Sequence, residues 1–211
     1  QNGDWMVKLD PLAASREERT LKVSNDRRES IVLERVLVGE VWFSSGQSNM
    51  VWTAGSSMCR EIAQEIATSQ TDIPIREINI NTVSALYPQK TATSDDGWKT
   101  HKSASGFSAL SLSFAWELYK ELDMPIGILL SAHSNTRIEA FTQRKAIENH
   151  PELSGDTALI RDADPTTEQG RAAFDKYYTD LRAWQTVAGD AADAGGRVPA
   201  RPNLPGIAGM W

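Results

Sequence analysis

The sequence lacks several features that define whole classes of proteins. Its 211 residues include a single cysteine, Cys59, so a disulfide within the chain and a multi-cysteine metal site are excluded. No apolar run reaches the roughly 20 residues that a membrane-spanning helix needs. Basic residues are outnumbered, 22 against 28 acidic ones, and a net charge of −6 argues against a nucleic-acid partner. The 40% hydrophobic content that remains is typical of a globular protein with a sizeable core.

Apolar residues recur with strand and helix spacings in alternation along much of the chain. Two short apolar runs, at residues 75–80 and 126–130, predict buried strands. Spacings of three or four residues predict helices over residues 58–69, 107–122 and 166–194. This alternation predicts an α/β fold with a parallel sheet and helices on its faces. The expected buried faces are Met58, Ile62 and Ile66 on the first helix, Phe107, Leu110, Phe114, Leu118 and Leu122 on the second, and Phe174, Tyr177, Leu181 and Trp184 on the third.

Residues 1–33 are expected to be rich in β structure. Residues 20–24 and 30–33 predict short strands, separated by the polar turn at 25–28. An earlier strand and its turn are predicted from the spacing of Trp5, Val7 and Leu9 and from the Asn2-Gly3 pair. We therefore expect residues 1–35 to be the end of a β-rich domain.

The α/β domain is expected to occupy residues 36–211. Within it, the polar segment 91–105 and the segment 152–165, of mixed composition, predict loops. Residues 144–149 predict a short helix.

One stretch, residues 36–50, has the pattern of a catalytic turn. An apolar run that predicts a buried strand, residues 36–43, is followed at once by Ser-Ser-Gly-Gln-Ser-Asn-Met. Gly46 permits a sharp turn, and Ser48 follows it. A strand, a tight turn and a helix expose a nucleophilic serine at the carboxyl end of a sheet in α/β hydrolytic enzymes. Backbone N–H groups after the turn are then free to bind an oxyanion.

Residues 39–50, Gly-Glu-Val-Trp-Phe-Ser-Ser-Gly-Gln-Ser-Asn-Met, closely resemble the nucleophile block of the sialate O-acetylesterase family. That family belongs to the SGNH hydrolase superfamily. Three further stretches, at 107–109, 125–129 and 136–141, are similar to segments of the same family. The resemblance implies an SGNH-like three-layer α/β/α fold, of which this chain would hold the N-terminal part, preceded by part of a β-rich domain.

The resemblance also implies a serine esterase that removes O-acetyl groups from sialic acid or a related carbohydrate. Ser48 would be the nucleophile and would form an acetyl-serine intermediate. Contacts to the oxyanion or the substrate would come from Gln47, Asn49, Ser134 and Asn135. The chemistry needs no metal or organic cofactor, and the expected partner is an acetylated carbohydrate. By the same resemblance, the protein is expected to be secreted or periplasmic.

The chain departs from the family pattern at two points. The family's Asp-x-x-His motif, which supplies the base, does not occur here, so we expect the catalytic His and Asp to lie outside this chain. The family's Gly-Gly before the threonine is replaced by Ser134-Asn135. Asparagine tolerates left-handed backbone geometry better than most residues, and its side chain can donate a hydrogen bond.

These departures leave two other functions open: a non-catalytic carbohydrate-binding relative on an esterase scaffold, and an acetylesterase that acts on plant polysaccharide. The remaining titratable groups predict no second site. We expect His133 to line a pocket, His150 to lie at a helix end, and His101 to be a solvated surface residue near Asp95 and Asp96, whose spacing matches no strong metal motif. For Glu139, a surface charge and a structural partner of Arg137 both remain open.

Overall fold

The computed structural model describes residues 6–83 and 85–205, which belong to two compact units. The first unit contains described residues 6–81 and 93–132, and the second contains the others. Among the helices of these described residues, none is long and apolar enough to cross a membrane. The predicted division of the chain at residue 35 stays a prediction.

The first unit begins with a β-hairpin. Strands β1 (Ser15–Ser24) and β2 (Ser30–Val38) pair in antiparallel orientation, which confirms and extends the predicted strands at 20–24 and 30–33. Arg28, with φ of 65°, lies in the polar turn between them. The earlier predicted strand is wrong at Val7 and Leu9, which are exposed outside any strand. The two apolar residues alternate with polar ones as in a strand, but neither side chain is buried. The rest of that prediction, Trp5 and Asn2-Gly3, lies outside the described residues.

A four-stranded sheet forms the centre of the first unit. Its strands are β3 (Glu40–Gly46), β4 (Ile75–Asn79), β5 (Lys99–Thr100) and β6 (Ile126–Ala132), in the order β3-β6-β4-β5. Strands β3, β6 and β4 run parallel, and β5 pairs antiparallel with β4. The predicted strands at 75–80 and 126–130 and the mixed α/β fold with a parallel sheet are therefore confirmed.

The predicted single buried strand at residues 36–43 is wrong, because Gly39 divides the run between β2 and β3. A Cβ at Gly39 would lie 2.1 Å from the carbonyl oxygen of Pro125, so only glycine allows this approach. The N–H of Glu40 donates to the same oxygen at 3.0 Å. Val41 and Phe43 are exposed on β3, which is the edge strand of the described sheet.

Three helices accompany this sheet: α1 (Ser48–Val51), α2 (Arg60–Thr68) and α3 (Ala109–Leu122). Helices α2 and α3 confirm the predicted helices at 58–69 and 107–122, whereas α1 was not predicted, and two of the expected faces are wrong in part. Met58 is fully exposed before α2 begins, whereas Ile66 is buried. On α3, the buried residues include Leu112 and Ala115, while Leu110, Phe114 and Leu122 are exposed. Apolar side chains surround most of α3, so spacing alone did not identify its buried face. The core joins these helices to the sheet through Ile66, Ile75, Phe107, Leu112, Ile126 and Ile128.

His101 is buried, so its prediction as a solvated surface residue is wrong. The predicted loop at 91–105 contains β5 and the 3-10 helix His101–Gly106, and together they fold the imidazole away from solvent, with 4% of the side chain exposed. Its Nδ1 lies 3.2 Å from Oδ1 of Asp72, yet neither ring nitrogen has a hydrogen-bond partner among the described residues. Burial lowers the pKa of His101, and the nearby carboxylate of Asp72 only partly opposes this.

The lowered pKa of His101 predicts a loss of stability in mild acid. The unfolded chain, with a pKa near 6.5, gains a proton before the folded protein does. The stabilisation is therefore complete above about pH 6.5, and it is lost as the pH falls from there to below the pKa of His101 in the folded protein. We expect the free energy of unfolding, measured in urea at about pH 8 and about pH 5.5, to fall more in the wild type than in His101→Asn. Equal falls in both proteins would contradict this assignment.

The second unit is helical in its described residues. Helices α4 (Arg144–Glu148) and α6 (Glu168–Asp193) confirm the predicted helices at 144–149 and 166–194. The predicted loop at 152–165 is wrong, since most of it forms the 3-10 turn Pro151–Leu153 and α5 (Ser154–Ala163). The first residues of α5 are small or polar, so the sequence shows no helical spacing of apolar residues there. On α6 the predicted face is confirmed: Tyr177 is buried, and Phe174, Leu181 and Trp184 are half-buried.

Buried and half-buried charges connect the segments of the second unit. Asp164, which directly follows α5, accepts hydrogen bonds from the N–H and hydroxyl of Thr166 at 3.0 and 2.6 Å. It also accepts from the Tyr87 hydroxyl at 2.5 Å and from Nη1 of Arg144 at 3.1 Å. Elsewhere in the unit, Arg137 lies 2.9 Å from a carboxylate oxygen of Glu139, which makes Glu139 a structural partner.

Candidate active site

Ser48 lies directly after a sharp turn at the carboxyl end of β3. Gly46 ends the strand with φ of 145°, a value that favours glycine. Its register partner is Ala132, the last residue of β6, so the turn lies where two parallel strands end together. Gln47 caps the short helix α1, Ser48 is its first residue, and the N–H of Met50 donates to Gln47 at 2.9 Å. This confirms the predicted turn after a strand, whereas α1 was not predicted and the helix expected from residue 58 is α2.

Ser48 is half-buried, while Gln47 and Asn49 on either side of it are exposed. The turn therefore brings these three predicted site residues together within the first unit. Ser48 is therefore partly open to solvent, between two exposed residues with amide side chains.

Ser134 and Asn135 belong to the second unit, and both are exposed. Asn135 has φ of 59°, in the left-handed region. The strain expected where a glycine is replaced is therefore present, at a residue type that tolerates it. The approach of these two residues to Ser48 stays a prediction.

No histidine in the described residues of the first unit is suited to be the catalytic base. His101 is the histidine of that unit, and its ring is buried without a hydrogen-bond partner among the described residues. In the second unit, His133 is exposed. His150 is exposed just after α4, with Nδ1 2.9 Å from a carboxylate oxygen of Glu152. The position of the base outside this chain therefore stays a prediction.

The two aspartates near His101 in sequence, Asp95 and Asp96, each contact one polar side chain of the same unit. Asp95 accepts a hydrogen bond from the side chain of Asn81 at 2.8 Å. Asp96 lies 2.8 Å from Nζ of Lys99. Both contacts are those of loop residues.

Glu77 was not identified from the sequence, although it is one of the most unusual side chains of the first unit. It lies on β4, is 0% exposed, and accepts a hydrogen bond from the backbone N–H of Ser108 at 3.0 and 3.3 Å to its two oxygens. Burial raises the pKa of Glu77 to about 7, although the Ser108 N–H and Lys99 both favour the charged form. The sequence did contain an indication of this burial, because Glu77 lies two residues after Ile75 and so on the same face of the predicted strand.

Ser108 caps the amino end of α3, and together with the first turn of that helix it contacts the chain before and after Ser48. Ser108 forms an antiparallel bridge with Thr53, with flanking backbone hydrogen bonds of 2.8 Å from Ala54 to Phe107 and from Ala109 to Trp52. These residues follow α1 directly.

On the other side of the turn, the hydroxyl oxygens of Ser111 and Ser44 lie 2.6 Å apart. Ser44 is on β3, shortly before Gly46. Ser45 Oγ and Asn79 Oδ1, also near the carboxyl ends of their strands, are buried without a hydrogen-bond partner among the described residues. The carboxyl edge of the sheet is therefore polar, as a site that binds a polar ligand requires.

The first unit is a mixed α/β structure. Its Ser48 lies at a sharp turn after the edge strand β3 of a largely parallel sheet. No family model matches the chain. Two curated relatives, the sialate O-acetylesterases of Rattus norvegicus and Homo sapiens, are 28% and 27% identical to it, and each match covers 68% of this chain. The resemblance to the sialate O-acetylesterase family is therefore confirmed.

A solved structure agrees with these relatives. The carbohydrate acetylesterase of Xanthomonas citri is 28% identical to this chain, with a TM-score of 0.61 over 69% of this chain and 33% of its own. The chain spans only 28% to 29% of the length of the curated relatives that it matches.

Proposed function

We propose that this protein is a carbohydrate O-acetylesterase in which Ser48 is the nucleophile. One observation carries the proposal: Ser48 lies at a sharp, glycine-dependent turn at the carboxyl end of parallel strands. The relatives named as sialate and carbohydrate acetylesterases support the same chemistry.

The proposed reaction is acyl transfer in two steps. A base takes the proton of the Ser48 hydroxyl, and Oγ attacks the carbonyl carbon of the acetyl ester. The N–H of Ser48 and a donor at Ser134 or Asn135 stabilise the tetrahedral oxyanion. The oxyanion collapses as the protonated base gives its proton to the sugar oxygen, which leaves as a hydroxyl. The base then takes a proton from water, the hydroxide attacks the acetyl-serine, and acetate leaves as the proton returns to Oγ of Ser48. The catalytic His and Asp are proposed to come from outside this chain.

Sialic acid or a related acetylated sugar is the proposed substrate, because the curated relatives are named for sialate. An acetylesterase of plant polysaccharide fits the broader name of the structural relative, a carbohydrate acetylesterase. A non-catalytic carbohydrate-binding protein is the second candidate. It is favoured by the replacement of the family's Gly-Gly by Ser134-Asn135 and by the absence of the Asp-x-x-His motif from this sequence.

Acetate release by the full-length protein distinguishes these functions. With O-acetylated sialic acid and acetylated xylan at equal acetyl concentrations, we expect faster release from the sialic acid. Faster release from xylan would assign the protein to plant polysaccharide. Binding of either carbohydrate in calorimetry without acetate release would establish the non-catalytic alternative.

A further inference from the structure

Glu77 is a buried carboxylate that the proposed reaction does not use. It is fully buried on β4, and its hydrogen-bond donor among the described residues is the backbone N–H of Ser108. Burial of a charged or protonated carboxyl is costly, and a leucine would fill the same face of β4 without that cost. The position of Glu77 therefore points to a role beyond packing.

The hydrogen bond from Ser108 connects Glu77 to the segment that follows the Ser48 helix. Ser108 is itself 2% exposed and lies between residues 107 and 109, whose backbone pairs with residues 52–54. Residue 52 directly follows α1, which begins with Ser48. A shift of Ser108 is thus transmitted through these backbone contacts to the end of the helix that carries the serine.

The same turn of α3 also holds the strand before Ser48. The side chain of Ser108 accepts a hydrogen bond from the N–H of Ser111 at 3.4 Å, and the hydroxyl of Ser111 lies 2.6 Å from that of Ser44 on β3. The first turn of α3 therefore contacts the chain on both sides of the Ser48 turn. A small displacement of the first turn of α3 would therefore move Ser48 relative to its base and oxyanion donors.

We propose that Glu77 is a positioning residue for Ser48, which it holds in place through the backbone N–H of Ser108 and the first turn of α3. The proposal rests on Ser48 being the nucleophile. Misplacement of a reacting group by about 1 Å can cost about 10²-fold in rate, so the effect should fall on kcat rather than on KM.

The test compares Glu77→Leu with Glu77→Gln in the full-length protein. Leucine removes the acceptor, and we expect kcat for acetyl-ester hydrolysis to fall about 10- to 100-fold, with KM changed less than about threefold. Glutamine keeps one acceptor oxygen for Ser108, so its kcat should stay within about threefold of the wild type. If leucine prevents folding, Glu77→Asp takes its place, because it keeps the charge but withdraws the carboxylate from the N–H of Ser108.

Ile126→Ala is the control for loss of stability alone. Ile126 is buried at the amino end of β6, away from the carboxyl edge where Ser48 lies. We expect this variant to unfold more easily but to retain kcat. The proposal is overturned if a folded Glu77→Leu or Glu77→Asp variant keeps the wild-type kcat. It is also overturned if Glu77→Gln loses as much kcat as Glu77→Leu, or if kcat follows stability in Ile126→Ala.

Hydrogen exchange separates this proposal from the proposed function. The amides of Ala54 and Ala109 donate across the pairing of the two segments, at 2.8 Å each. We expect them to exchange faster in Glu77→Leu than in Glu77→Gln at equal global stability. If the wild type hydrolyses no acetyl ester, the proposed function fails, while equal exchange in both variants would overturn the structural connection through Ser108.

Discussion

Replacing Ser48 by alanine is expected to lower acetyl-ester hydrolysis by the full-length protein about 10³-fold or more, with little change in binding of the acetylated carbohydrate. Alanine has no oxygen to attack the carbonyl, so the acetyl-enzyme cannot form. The turn itself should be unaffected, because its geometry depends on Gly46 and on the backbone hydrogen bond from Met50 to Gln47. The measurement is initial-rate kinetics with a chromogenic acetyl ester.

Ser69→Ala is a matched control for the loss of a serine hydroxyl. Ser69 is half-buried at the end of α2, where its hydroxyl donates to the carbonyl of Thr71 at 2.9 Å, and it lies outside the Ser48 turn. We expect wild-type rates from this variant. Equal, near-background rates in the wild type and in Ser48→Ala would instead favour the carbohydrate-binding alternative.

The Ser48 turn could be predicted because all of its determinants are local. A short apolar strand, Gly46 and the serine lie within a few residues of one another, and the positive φ of this glycine favours the turn. The strands at β4 and β6 were predictable for the same reason, since each is a short, dense apolar run. The long helix α6 has enough turns for its period to be clear.

Three features missed from the sequence, at Glu77, His101 and Gly39, depend on contacts between distant segments. Glu77 is buried because Ser108, 31 residues away, places an N–H against it. His101 is buried because β5 returns to β4, and Gly39 divides a continuous apolar run because Pro125 lies against it. None of these partners is adjacent in sequence, so composition and spacing alone gave no indication of them.

Replacing Asp164 by alanine is expected to cause the largest loss of stability in the second unit, about 3–5 kcal/mol. The side chain is 1% exposed and accepts hydrogen bonds from Thr166, Tyr87 and Arg144. Its removal leaves the hydroxyls of Thr166 and Tyr87 without this acceptor, and of its ion pairs in the described part of the chain Arg144 keeps only that with Glu148, at 2.6 Å. The matched control is Asp162→Ala, since Asp162 is more exposed and pairs only with its neighbour Arg161 among the described residues, at 3.2 Å; we expect a change below about 1 kcal/mol.

The pKa of Asp164 gives this prediction a second, independent measurement. Hydrogen bonds from Thr166 and then from Tyr87 hold the pKa of this carboxyl well below its usual value of 3.8. A lowered folded-state pKa means that the stabilisation is complete above that value and is lost as the pH falls below it. Hydrogen exchange of α5 and α6 amides should therefore show a wild-type advantage over Asp164→Ala that shrinks in strong acid. An advantage that stays constant as the pH falls would show that the ionised carboxylate is not what holds these helices together.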